Sequence, residues 1–273
     1  MAASGSSKSA QERREAQREA LRKQRESELR RQRTVRTVVI AAVTVAALVI
    51  VAGAGYLIYR TTRPAGPVAV PAGMAQDQPY LSFGAEEGSG APVVEVHLDF
   101  MCPYCGQFEQ INGEDVAALV EDDTITLHLV PRRMLDTAST TGDYSSRAAN
   151  AMVCVYEENP DAAMTFQQLM FANQPAEGTA GLTDDQIWDY AQQAGATEAV
   201  QGCLTSRTYQ PWVRQVAEPY ASEMQKGTPY IAIDGTQFGE WTTEGAFLAA
   251  VQAAGGSTAS DAGGAEASDG GEG

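Results

Sequence analysis

Apolar and polar residues alternate over residues 92–100, with Val94, Val96, Leu98 and Phe100 on one face and Glu95, His97 and Asp99 on the other. A period of two predicts a β-strand. The spacing then turns helical at once: Phe108, Ile111, Val116, Leu119 and Val120 form a stripe, with an interruption expected near Gly113. Residues 124–130 (TITLHLV) predict a second strand, and residues 230–233, followed by the turn-forming Asp234-Gly235, a third. Helical periods dominate between them. Ala148, Ala149, Met152 and Val155 share one stripe over residues 145–156, and Phe166, Leu169 and Met170 another in a helix starting at Asp161. Thr183 and Gln186 have the spacing of a capping box for a helix that ends by Gly195. Val213, Val216, Tyr220 and Met224 predict a further helix, bent or divided at Pro219, and Phe247, Leu248 and Val251 a closing one. The order is strand, helix, strand, helical insert, strand, helix, an α/β arrangement.

One run does not fit a soluble domain. Residues 38–59, VVIAAVTVAALVIVAGAGYLIY, carry no charge over twenty-two positions, enough as a helix to cross a hydrocarbon core of ~30 Å. Charge divides at the same place, which the net value of -16 hides. Residues 1–63 hold 13 Lys and Arg against 5 acids, a charge of +8, and residues 64–273 hold 6 against 30, a charge of -24. The excess of bases before the run, among them Arg30, Arg31, Arg33 and Arg36, predicts an uncleaved anchor with a cytosolic N-terminus and an exported C-terminal part. An acidic exported part makes nucleic acid and anionic lipid poor partners. The expected organisation is a charged cytosolic segment over 1–36, a single transmembrane helix over 37–59, a Pro/Gly/Ala-rich linker over 60–87, a folded domain over 88–254 with its helical insert at about 137–225, and a disordered acidic tail over 255–273.

The candidate chemistry lies where the first strand gives way to its helix: Asp99-Phe100-Met101-Cys102-Pro103-Tyr104-Cys105. Such a pair of cysteines can hold a metal, close a structural loop or exchange electrons. Unpaired N–H groups and the positive dipole end of a helix favour an anion, and a thiolate is one. On that footing Cys102 is expected to be the exposed nucleophile and Cys105 the shielded resolving thiol. Pro103 suits the first helical turn, where its missing N–H costs nothing. A zinc site needs further ligands at close spacing; Cys154 and Cys203 are distant singletons, and His97 and His128 fall within strands.

The cysteine motif, followed far downstream by Gly227-Thr228-Pro229, resembles the DsbA-like thiol-disulfide oxidoreductases of the thioredoxin superfamily, above all the membrane-tethered bacterial type, in which segments similar to residues 131–136 (PRRMLD) and 145–149 (SSRAA) also occur. The resemblance implies a thioredoxin-like fold with an inserted helical domain, here preceded by a single N-terminal transmembrane helix. It places the redox pair on Cys102 and Cys105, the cis-proline on Pro229, and the backbone that pairs with an extended substrate on Thr228. It makes Pro103 and Tyr104 modulators of the pair. Strong oxidants of the family carry His where this chain has Tyr104, so a less acidic Cys102 and a less oxidising disulfide are expected. The acid that thioredoxins bury six positions before the first cysteine is Val96 here, and Glu95 and Asp99 are expected to be ordinary solvated charges. With the motif accounting for two of four cysteines, Cys154 and Cys203 are expected to form a structural disulfide clamping the insert, two buried free thiols being the alternative.

The implied function is extracytoplasmic thiol-disulfide exchange, donating disulfides to cysteine-containing secreted or envelope proteins, with no cofactor or metal. A membrane redox partner, quinone-linked by analogy, would reoxidise the pair, and a monomer is expected. The alternatives are a disulfide reductase or isomerase of the same fold, and a non-catalytic membrane-anchored binding module.

Overall fold

In this computed structural model the described residues are 22, 23, 25, 28, 30, 31, 35–56, 68–225 and 227–264, with side chains described as far as 255. Most of the charged N-terminal segment, the end of the expected span, the first part of the linker and residues 265–273 of the tail lie outside the described residues. The chain divides into two compact units, Met1–Gly66 and Pro67–Gly273. In the first, α1 (Val35–Tyr56) has 22 residues and a mean hydropathy of 2.6, long and apolar enough to cross a membrane.

The second unit is built on a five-stranded sheet of order β1-β3-β2-β4-β5. Its strands are β1 (Leu81–Gly84), β2 (Val93–Leu98), β3 (Thr126–Pro131), β4 (Tyr230–Ile233) and β5 (Thr236–Gln237). β2 and β3 run parallel, so their connection must cross over, and α2 (Pro103–Glu121) is that crossover. The other neighbours are antiparallel. Val94, Val96 and Leu98 bury one face of β2 in the main core, where Phe108 of α2 meets Phe247 of α9 (Ala246–Gly264) edge to face.

Between β3 and β4 come α3 (Tyr144–Glu158), α4 (Pro160–Ala172), α5 (Asp184–Gln193), α6 (Glu198–Ser206), α7 (Gln210–Trp212) and α8 (Glu218–Met224). α3 is the centre of this insert: residues 144–155 are buried all round, which its run of Ala and Ser allows at close helix spacing. The capping box of α5 forms both of its bonds, Gln186 N–H to Thr183 Oγ1 at 3.2 Å and Thr183 N–H to Gln186 Oε1 at 2.9 Å.

Several sequence expectations are corrected. α2 runs unbroken through Gly113, where the Glu109 side chain fills the space that a Cβ would take. The irregularity expected at Pro219 falls just before it. A π-helical turn, Val213–Ala217, lets the Glu218 N–H reach back to the Val213 carbonyl, and Pro219 falls in the first turn of α8, where no N–H is needed. β1 lies inside the stretch expected to be a linker, and α9 continues past Gly255 to Gly264, into the stretch expected to be disordered.

Candidate active site

β2 delivers the chain to a tight turn in which the Cys102 N–H donates to the Asp99 carbonyl at 3.0 Å, and α2 begins at once. Cys102 is the N-cap, in extended conformation, with Pro103 in the first turn. Its carbonyl accepts from the N–H of Cys105 at 3.0 Å and of Gly106 at 3.1 Å. The Cys102 thiol points across to the Thr228 carbonyl at 3.4 Å, and the peptide between Thr228 and Pro229 is cis. β4 starts at the next residue, so its antiparallel pairing with β2 is what sets Thr228 opposite the cysteines.

Cys102 and Cys105 are free thiols, and both are buried, 4% and 1% exposed. The expectation of an exposed Cys102 is therefore corrected: it is Tyr104, at 64%, that stands out beside the pair. The two sulfurs have opposite acidities. A hydrogen bond from the Cys105 thiol, joined by N–H groups at the start of α2, brings Cys102 down to about 6, despite its burial. Burial pushes Cys105 well above the ordinary thiol range, and the neighbouring Cys102 charge adds to this. One thiolate shared by donors and one retained proton is the arrangement that nucleophilic attack followed by internal resolution requires.

Two carboxylates expected in solvent are not there. Glu95 is half-buried, held below the usual carboxylate range against its burial by bonds from His97 and from the Tyr220 hydroxyl at 2.9 Å. Asp99 is fully buried beneath the cysteines. It accepts from Met101 N–H at 2.9 Å, Leu135 N–H at 2.8 Å and the Ser145 hydroxyl at 2.7 Å, while its own N–H reaches Cys105 Sγ at 3.4 Å. Burial pushes its carboxyl up to about 6 in spite of those donors. Asp99 thus ties β2, the segment after β3 and the start of α3 to one point.

Two further side chains fix the turn, and neither was singled out from the sequence. Gln174, after α4, donates Nε2 to the carbonyls of Phe100 at 3.2 Å and Cys102 at 2.8 Å. Arg132, buried at the end of β3, pairs with Glu218 at 2.6 Å and donates to the carbonyls of Gln225 at 2.9 Å and Gly227 at 3.3 Å, fixing the approach to Thr228 and Pro229. The only signal for Arg132 was its place in the 131–136 segment. Cys154 of α3 and Cys203 of α6 lie away from this centre and are joined as a disulfide. His97 and His128 are buried in β2 and β3, and among the described residues no three His, Cys, Asp or Glu side chains are grouped to hold a metal.

Residues 82–253 match the sequence model of the thioredoxin family. Over 161 residues the chain is 30% identical to the serine/threonine-protein kinase PknE of Mycobacterium tuberculosis, a match that covers 55% of this chain and 28% of the kinase. Two solved structures from the same organism align along nearly their whole length. The reduced form of the disulfide bond oxidoreductase DsbG is 27% identical with a TM-score of 0.54, covering 72% of this chain and 90% of that one. Oxidised DsbA is 28% identical with a TM-score of 0.57, covering 67% and 98%.

Proposed function

The chain belongs to the thioredoxin family, among its DsbA-like thiol-disulfide oxidoreductases, and from that premise we propose that Cys102 and Cys105 are its exchanging pair and that it donates disulfides to cysteine-containing proteins outside the cytoplasm. A substrate thiolate attacks Cys102 Sγ of the oxidised pair; the bond to Cys105 breaks, and Cys105 leaves with the electron pair and takes up a proton. A second substrate thiolate then attacks the substrate sulfur of the mixed disulfide and expels Cys102. Two electrons pass from substrate to pair, which a membrane redox partner, quinone-linked in this reading, must take away. Thr228 and Pro229 hold the substrate backbone beside Cys102, Pro103 starts the helix, and Tyr104 forms the rim. The Cys154–Cys203 disulfide has a structural role only.

The direction is carried by the donors that converge on Cys102, the Cys105 thiol and the N–H groups at the start of α2, which bring its thiol down to about 6. A thiolate stabilised at neutral pH is a good leaving group and stabilises the reduced pair, which makes the oxidised pair a stronger oxidant. This counts against the weaker oxidant that Tyr104 suggested. α1 anchors the domain, with the basic N-terminus in the cytoplasm. The test is the reduction potential of the pair, from equilibration of the full chain in detergent with glutathione buffers. A potential above that of the glutathione couple is expected; one well below it turns the assignment to a reductase or isomerase, and no titration at all leaves a binding module.

A further inference from the structure

A groove of about 690 Å³ lies between α2 and α4, lined among others by Gly106, Glu109, Gln110, Glu114, Gln168 and Gln174. Two of these residues touch the backbone of Cys102: Gly106 donates its N–H to the Cys102 carbonyl at 3.1 Å, and Gln174 donates Nε2 to the same oxygen at 2.8 Å. Gly106 follows Cys102 by one helical turn, so the groove starts a turn below the reactive sulfur and runs down α2. Two glycines let its polar side chains lie close against α2. A Cβ at Gly106 would stand 2.2 Å from Gln174 Oε1, and one at Gly113 2.8 Å from Glu109 Oε1. From Gly106 to Gly113 the helix rises about 10 Å, a distance that an extended polypeptide covers in about three residues.

The polar walls carry acids and no cation. Glu109 is half-buried and receives a hydrogen bond from Gln167 Nε2 at 3.0 Å, and among the described residues no cation pairs with it. Burial pushes its carboxyl up to about 7, so its charge is held at a cost. Behind Glu109, Gln167 is buried outside the lining, and its Oε1 has no hydrogen-bond partner. With Glu114 added, the groove presents carboxylates and amides and no base. An ammonium or guanidinium supplies the missing charge.

We propose that this groove is a substrate subsite for a lysine or arginine three to four residues along an extended polypeptide from the cysteine that reacts with Cys102. The assignment rests on the exchange reaction proposed above and gives it a substrate preference. The test is the second-order rate at which the oxidised full chain, in detergent, reacts with peptides carrying one cysteine and either Lys or Glu at a single varied position. Lys is expected to react about fivefold faster than Glu three to four residues away on one side of the cysteine, and the ratio should approach one on the other side or further along. In Glu109→Gln/Glu114→Gln the ratio at the favoured position should also fall towards one; a ratio, unlike a rate, is unaffected by a general loss of exchange. A preference for Lys equal at every position assigns the effect to the acidic surface as a whole and overturns the subsite, as does a ratio that survives in the double variant. Should that variant not fold, the positional series on the unaltered chain decides by itself. If no peptide reacts, and glutathione does not either, the exchange reading has failed and the subsite with it, an outcome distinct from rates that are measurable but equal.

Discussion

The two cysteine pairs of this chain lie in one folded unit, three of the four side chains buried and Cys203 partly so, yet the pairs are in opposite states. Cys102 and Cys105, three residues apart where a strand becomes a helix, are free thiols; Cys154 and Cys203, 49 residues apart, are joined across α3 and α6. Burial does not distinguish Cys154, 2% exposed, from Cys102, 4% exposed. What differs is the set of donors facing the sulfur. Cys102 has a neighbouring thiol and the open N–H groups of a helix start, which stabilise a negative charge. Cys154 sits in mid-helix, where the N–H groups are spent on the helix itself, and a long contact of 3.6 Å from Asn150 Nδ2 is its polar neighbour. Reactivity at sulfur follows from placement on the backbone more than from access to water.

The largest effect expected from this contrast is the loss of all exchange in Cys102→Ser, read as oxidation of a dithiol peptide. Cys105→Ser should instead accumulate a mixed disulfide visible on non-reducing electrophoresis. In the unaltered reduced chain, alkylation of Cys102 should rise with pH through a midpoint near 6. The stabilisation of the thiolate is present above the ordinary thiol range and is lost as pH falls through that midpoint, so the pH dependence of the potential should change slope there. Next in size is the replacement of both Cys154 and Cys203 by Ser. Opening a loop of 49 residues should cost about 3–4 kcal/mol in denaturant unfolding, with the Cys102 midpoint unmoved. A midpoint that shifts with the clamp would end the distinction between a reactive region and a structural one.

Asp99 sharpens the comparison from below. Its native carboxyl is raised to about 6 by burial, so the native state binds this proton more tightly than the unfolded chain does. For such a group stability is lost as pH rises, across the window from the ordinary carboxyl value to about 6. The loss should be on the order of 2–3 kcal/mol for a shift of this size. Urea unfolding of the unaltered chain and of Asp99→Asn at pH 4 and pH 7.5 isolates it, because the other carboxylates cancel in the difference. The stability advantage of the unaltered chain should shrink at the higher pH. An advantage that is the same at both would mean that the donors from Met101, Leu135 and Ser145 keep Asp99 ionised throughout.

How legible the chain was follows the range of the interactions that fix each part. β2, α3 and the Thr183/Gln186 capping box rest on contacts a few residues apart, and period or spacing reveals them. β1 does not show itself: four residues in a stretch rich in Pro, Gly and Ala become a strand only because β3, more than forty positions later, offers an edge. Asp99 misled for the same reason. In a period of two it shares a face with Glu95 and His97, and solvent is the default for such a face; the helical insert covers it and brings Ser145 from 46 positions away. The glycines of α2 were legible as weak points of a helix but not as spaces. Gly113 accommodates Glu109 and Gly106 accommodates Gln174, and nothing local in the sequence says so.

Gly106 gives the smallest and most discriminating test. A methyl group there would meet Gln174 Oε1 at 2.2 Å, and since this is the end of a flexible side chain, Gly106→Ala should displace the amide rather than break α2. The amide would then lose its bonds to the Phe100 and Cys102 carbonyls, worth together about 1–2 kcal/mol, against a gain of about 0.5–1 kcal/mol from replacing glycine inside a helix. In the unaltered chain the two nearly cancel, or the loss wins. In Gln174→Ala there is no amide to displace, so the same Gly106→Ala should raise stability by the helix term alone. The two measurements differ by a coupling of about 1–2 kcal/mol. Simple additivity would mean that Gln174 fills a space without holding the turn, and that the redox turn is fixed by β2, Asp99 and the start of α2 without help from the insert.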